Sequence, residues 1–127
     1  MSAPIPPPRR ILVVDDEPQV CEAVKMLLEF DGHTVITAGS GQEALQLLTA
    51  APFDLVITDY SMPQMKGDEL AKTIKARYPN QPVIMVTAYA EILESTGKPV
   101  EGVDLLISKP FMLEDFRSAV LRTTRAQ

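Results

Sequence analysis

Short apolar runs alternate along this chain with longer stretches in which apolar residues recur every three or four positions. Ile11-Leu12-Val13-Val14 is a continuous, β-branched-rich run, the pattern of a strand buried on both faces. Pro18 opens a segment in which Val20, Ala23, Val24, Leu27 and Leu28 recur at helical spacing, and Asp31-Gly32 supplies the stop. Thr34-Val35-Ile36-Thr37 reads as a second strand. Ser40-Gly41-Gln42-Glu43 is a capping box opening a helix with Ala44, Leu47 and Leu48 turned inward. Leu55-Val56-Ile57 reads as a third strand. Gly67 to Tyr78 follows as a helix with Leu70, Ile74 and Tyr78 on one stripe, Lys72 and Lys75 on another, and Pro79 at its end. Val83-Ile84-Met85-Val86 is a fourth strand, and Ala88 to Thr96 a short helix stopped by Gly97 and Pro99. Val103 to Ile107 is a fifth strand, and Leu113, Phe116, Val120 and Leu121 line a final helix ending near Thr124.

Strands each followed by a helix, at roughly 20–25 residues per unit, predict an α/β fold with a parallel sheet covered on both faces. Right-handed crossovers make it an open, doubly wound sandwich. Ligands of such sheets sit beyond the carboxyl ends of the strands, at a topological switch point. Residues 1–9 stand apart: Pro4, Pro6, Pro7 and Pro8 are four of the eleven prolines, and the stretch reads as an extended, poorly ordered leader. Its Pro4-Ile5-Pro6-Pro7 segment fits a PxxP pattern, yet a disordered end is the simpler reading. Residues 10–124 form one domain and 125–127 a tail.

Composition narrows the function classes. With 46% hydrophobic and 23% charged residues, the 127-residue chain has the balance of a globular protein, not of a disordered, collagenous or membrane chain. No apolar run approaches the ~20 residues of a bilayer span, and the start lacks the basic-then-apolar pattern of an export signal. A cytoplasmic location without membrane attachment is therefore expected. A net charge of −5 argues against a nucleic-acid partner. The single cysteine, Cys21, has no second thiol for a disulfide or zinc site and reads as a buried core residue. The single histidine, His33, follows Asp31-Gly32 at a turn, so histidine catalysis is not expected.

The polar residues just after the apolar runs carry the chemistry. The first strand ends in Asp15-Asp16, followed by Glu17, and the third in Asp59. The fourth ends in Thr87 and the fifth in Lys109-Pro110. Singly these residues are unremarkable: Asp-Asp before a helix is a common N-cap, Thr87 a structural hydroxyl, Lys109 a solvated charge. Together at one sheet edge they are a set. Three clustered carboxylates repel one another and raise each other's pKa unless a cation is present. Hard oxygen donors point to Mg²⁺ rather than zinc. A lysine and a threonine hydroxyl can hold the oxygens of a transferring phosphoryl group, and one carboxylate can serve as nucleophile to give an acyl phosphate.

Here the sequence resembles the receiver domain of two-component response regulators, the CheY-like superfamily. The matching features are Val13-Val14-Asp15-Asp16-Glu17, Asp59-Tyr60-Ser61-Met62-Pro63-Gln64-Met65-Lys66-Gly67, Val86-Thr87-Ala88 and Lys109-Pro110-Phe111. The intervals of 44, 28 and 22 residues between Asp15, Asp59, Thr87 and Lys109 fit that family, over roughly Arg9 to Thr124. The resemblance implies a flavodoxin-like receiver fold with strand order 2-1-3-4-5 and five helices. It implies that Asp59 accepts a phosphoryl group from a phosphohistidine on a sensor histidine kinase or phosphotransfer protein. Asp16, the Asp59 carboxylate and the Ser61 backbone carbonyl would bind Mg²⁺, with Asp15 acting through a metal-bound water. Lys109 would pair with the phosphoryl oxygens, and Thr87 would swing in to hydrogen-bond one of them. Pro110 would follow a cis peptide bond, and Gly67 would supply unusual backbone angles to the loop.

There are departures from the family pattern. The aromatic residue usual three places before the lysine is replaced by Leu106, and the fourth helix is short. Readout is therefore expected to move to the Thr87–Tyr89 loop and the segment up to Pro99, as Leu106 lacks the reach of an aromatic ring. No output module follows Thr124 in this sequence, and the downstream protein target is left open. Such a domain assists its own phosphotransfer and dephosphorylation without being an enzyme in the ordinary sense. The alternatives are a Mg²⁺-dependent aspartyl-phosphate hydrolase of the haloacid dehalogenase type and a receiver-like module that is never phosphorylated. The first would place its nucleophile after strand one and a second Asp where Glu17 stands; the second would lack Asp59 or Lys109. A flavin protein of similar topology would need a phosphate loop where Asp15-Asp16-Glu17 repels phosphate.

Overall fold

The structure is a computed structural model that describes residues 4–88 and 100–124. In chain order its elements are β1 (Arg10–Val14), α1 (Pro18–Phe30), β2 (Thr34–Ala38), α2 (Gly41–Ala50), β3 (Leu55–Asp59), α3 (Gly67–Arg77), β4 (Val83–Thr87), β5 (Leu105–Ser108) and α4 (Leu113–Thr124). The five strands form one sheet of order β2-β1-β3-β4-β5, with every neighbouring pair parallel. The described residues contain four helices. The short helix expected from Ala88 to Thr96 lies, apart from Ala88, outside them, as does Tyr89.

Alternation along the buried strands builds two layers. Ile11 and Val13 of β1, with Leu55 and Ile57 of β3, pack under α1 and α4 against Val24, Leu28, Phe116 and Val120. Leu12, Val14 and Val56 face the other way, under α2 and α3, against Ala44, Leu48, Leu70 and Ile74. The apolar stripe of α1 is rotated from the expected one: Cys21, Val24 and Leu28 are buried, whereas Ala23 is exposed. Asp31 and Gly32 end α1, with Gly32 at φ +92° and the His33 N–H returning to the Leu28 carbonyl. At α2, Ser40 Oγ accepts the Glu43 N–H at 3.1 Å, and Glu43 Oε1 reaches back to the Gly39 N–H at 2.7 Å.

Two expectations need correction. The fifth strand begins at Leu105, not Val103. Asp104 exchanges two hydrogen bonds with Val83 instead, its N–H donating to the Val83 carbonyl and its carboxylate accepting the Val83 N–H, both at 2.8 Å. The leader is also not free along its length: Pro6 is buried, and the Arg9 N–H donates to His33 Nδ1 at 2.9 Å.

Candidate functional site

Register decides which residues meet. Val14 lies beside Ala38 and Thr58, Asp59 beside Val86, and Thr87 beside Ser108. Asp15-Asp16, Asp59, Thr87 and Lys109 therefore share the carboxyl-terminal edge of the sheet, at the point where β1 and β3 diverge to opposite sides. Asp15, Asp16 and Asp59 each offer a carboxylate oxygen, and these oxygens all lie within 4.8 Å of one another. Asp15 and Asp59 are only 5% and 6% exposed, whereas Asp16 faces solvent. Lys109 Nζ stands 2.6 Å from Asp59 Oδ1.

Burial pushes the Asp15 carboxyl up to about 6. The Glu17 N–H, donating to Asp15 Oδ1 at 2.9 Å, opposes this; the Asp59 charge adds to it, the Lys109 charge offsets part, and Asp16 contributes least. Repulsion alone was the expected cause, but desolvation is the larger one, because Asp15 sits below the rim of the sheet. Burial also pulls Lys109 down. The hydrogen bond and charge of Asp59, helped by Asp15 and Glu17, outweigh it and leave the ammonium above its ordinary value. Cys21 is buried beneath this corner. Burial, then the Asp15 charge, pushes its thiol up to about 11, so it remains a neutral S–H group.

The loop after β3 is shaped by Gly67, though not for the expected reason. Its φ is not in the left-handed region; a Cβ there would run into the Asp59 carbonyl oxygen, and its N–H donates to the Tyr60 carbonyl at 2.9 Å. Close approach, not unusual angles, demands glycine. The left-handed residue of the loop is Gln64, at φ 69°. Met62 is buried, and Met65 packs so closely on Gly41 that a Cβ there would sit 2.6 Å from its sulfur. Ser61 is exposed in the loop, Thr87 is buried at the end of β4, and Leu106 is half-buried on β5 beside Met85. The Lys109–Pro110 peptide bond is cis. Beside it lies an apolar groove lined by Gln19, Val20, Ala23, Lys109, Pro110 and Phe111.

The donor set fits Mg²⁺. It is all oxygen and anionic, with one exposed member that leaves room for water, and it includes no thiol or imidazole.

Comparison with known proteins agrees with the geometry. The chain belongs to the response regulator receiver domain family, whose sequence profile matches residues 11–121. It is 35% identical over 121 residues to the response regulator MprA of Mycolicibacterium vanbaalenii, covering 92% of this chain and 52% of the relative. It is 36% identical over 103 residues to the transcriptional regulatory protein GlrR of Escherichia coli, covering 81% of this chain and 23% of that one. The chain thus spans about half the length of the first of these relatives and about a quarter of the second. Among solved structures, a receiver domain from Clostridium thermocellum superposes with a TM-score of 0.82 at 33% identity, over 92% of this chain and 94% of the other. The response regulator TrrA of Thermotoga maritima, in complex with Mg²⁺–BeF, gives 0.78 at 34% identity, over 91% and 98%. This chain is a receiver domain of the two-component type, and a dehalogenase-type hydrolase is not favoured.

Proposed function

We propose that Asp59 is the phosphoacceptor of a two-component switch and that its donor is the phosphohistidine of a sensor histidine kinase or phosphotransfer protein. The observation that carries this reading is the Lys109 ammonium 2.6 Å from Asp59 Oδ1, inside a cluster of three carboxylates. The free Asp59 oxygen attacks phosphorus, the N–P bond to the donor imidazole breaks, and an acyl phosphate forms. Lys109 shifts its charge from the carboxylate to the phosphoryl oxygens, and the Thr87 hydroxyl donates to one of them. Asp15, Asp16, Asp59 and the Ser61 carbonyl would hold Mg²⁺, which when bound neutralises charge developing on the phosphoryl oxygens. The apolar groove at Val20, Ala23, Pro110 and Phe111 gives a protein donor a seat beside Lys109.

In this reading the domain is a switch whose surface, read through Thr87 and the residues that follow it, engages a downstream protein. Among the described residues no helix is long and apolar enough to cross a membrane. The test is phosphorylation by a small phosphodonor with Mg²⁺. One phosphoryl group should be added, Asp59→Asn or chelation should abolish it, and purified candidate kinases with labelled ATP should then identify the donor. Label found on Asp15 or Asp16 by mass spectrometry would sink the assignment.

A further inference from the structure

Two buried side chains outside the acidic cluster reach the main chain of its two buried members. Thr58, fully buried on β3, donates from Oγ1 to the Asp59 carbonyl at 3.0 Å. Cys21, in the first turn of α1, donates from Sγ to the Asp15 carbonyl at 3.3 Å, with the Ala38 carbonyl at 3.8 Å. A hydroxyl inside a sheet is unfavourable unless bonded, and valine would fill nearly the same volume at Thr58. The hydroxyl is instead spent on the peptide of the proposed acceptor. The same Asp59 oxygen is crowded by Gly67 Cα, where a Cβ would strike it. The acid-bearing ends of β1 and β3 are thus each pinned at the carbonyl by a neutral donor, which adds no charge to a site already crowded with like charges.

We infer that Thr58 and Cys21 are positioning residues for Mg²⁺: by fixing the Asp59 and Asp15 carbonyls they hold the two buried carboxylates at the spacing the cation needs. This rests on reading the acidic cluster as a Mg²⁺ site. Without the bonds, the two peptides that bear the buried carboxylates are freer to turn under carboxylate repulsion, and the cation must reorient them on binding.

The test is calorimetric titration of the whole chain with Mg²⁺ alone, without phosphodonor. Loss of one ordinary hydrogen bond should weaken Mg²⁺ binding about fivefold in Thr58→Val, while Thr58→Ser, which keeps the donor, retains the wild-type affinity. Cys21→Ala should weaken it by about twofold, as befits the weaker thiol donor, and Cys21→Ser should restore it. Metal-free thermal unfolding shows that each variant is folded; should Thr58→Val fail to fold, the Cys21 pair decides by the same criterion. Unchanged Mg²⁺ affinity in Thr58→Val, or equal losses in Thr58→Val and Thr58→Ser, would overturn the inference. A wild-type chain that takes up no Mg²⁺ would instead overturn the metal-site reading beneath it.

Discussion

At the amino-terminal edge of the sheet, acidic side chains are matched to donors one by one; at the carboxyl-terminal edge they are set against each other. Asp54 accepts the Arg10 N–H at 2.8 Å while its own N–H returns to the Arg10 carbonyl. Asp104 does the same with Val83 and also accepts from Lys75 Nζ at 2.7 Å. Asp31 takes two parallel bonds from Arg117, at 2.8 and 2.9 Å, and these raise the guanidinium above its already high value. Across the molecule, Asp15, Asp16 and Asp59 crowd within 4.8 Å, with Lys109 on Asp59. The same residue type therefore closes strands at one edge and holds unfavourable charge in reserve at the other. Stability is concentrated where no chemistry is proposed, and the strain lies where a cation and a phosphoryl group would relieve it.

The largest effect should come from the quiet edge. Val83 is fully buried, so Asp104→Ala leaves its N–H without an acceptor and should destabilise by about 2 kcal/mol. The partly exposed Lys75 pair adds little to that. Urea unfolding measures it, and an Asp104→Ala protein as stable as wild type would erase the contrast between the edges.

Neutralising the strained edge should do the reverse. Asp15→Asn keeps an oxygen for the Glu17 N–H but removes the buried charge, and should stabilise the metal-free protein by about 1–2 kcal/mol at pH 7. The sign follows from a folded pKa near 6 set against an unfolded value near the ordinary aspartate range. Native protein holds the extra proton between those values, so the penalty is absent below about pH 4 and complete only above the folded pKa. Mg²⁺ should then stabilise wild type more than the variant, since it binds the folded cluster only. Metal-free unfolding curves with Asp15→Asn clearly below wild type at pH 7 would contradict the account.

The sheet and the acidic corner were legible because both rest on signals that add up along the chain. Apolar runs at regular intervals define strands, and four separate strand ends carrying Asp15, Asp59, Thr87 and Lys109 are hard to obtain by accident. The amino-terminal edge was not legible, because Asp54, Asp104 and His33 are single polar residues before strands, with nothing to distinguish them from ordinary turn residues. Asp104 even lay inside the expected fifth strand, where its two bonds to Val83 end the loop. Asp31 and Arg117 are 86 residues apart, and no local pattern relates them. Gly67 was singled out, but close approach to the Asp59 carbonyl depends on where the loop returns in space, which spacing does not reveal. For the same reason the bonds from Thr58 and Cys21 lay hidden in what reads as plain core.

The smallest effect, at the amino-terminal edge, should carry the opposite pH sign. His33 is buried, and its Nδ1 accepts the Arg9 N–H, which ties the leader to the body; Arg9 in turn donates from Nη2 to the Thr124 carbonyl at the end of α4. Burial lowers the His33 pKa; the Asp31 charge raises it in part and the Arg9 charge lowers it further. A folded value below the unfolded one means that the unfolded chain takes up the proton first, so this contribution is present above about pH 6.5 and is lost as pH falls. Protonation also turns Nδ1 from acceptor to donor, which is incompatible with the Arg9 bond. In wild type the Asp15 slope, of opposite sign, masks the effect. In Asp15→Asn it is uncovered: stability should fall by about 1 kcal/mol between pH 7 and pH 5. Adding His33→Asn, which offers an untitratable acceptor, should flatten the profile. Denaturant melts of the two proteins across that range decide it, because a sloping profile in the double variant would place the acid sensitivity outside His33.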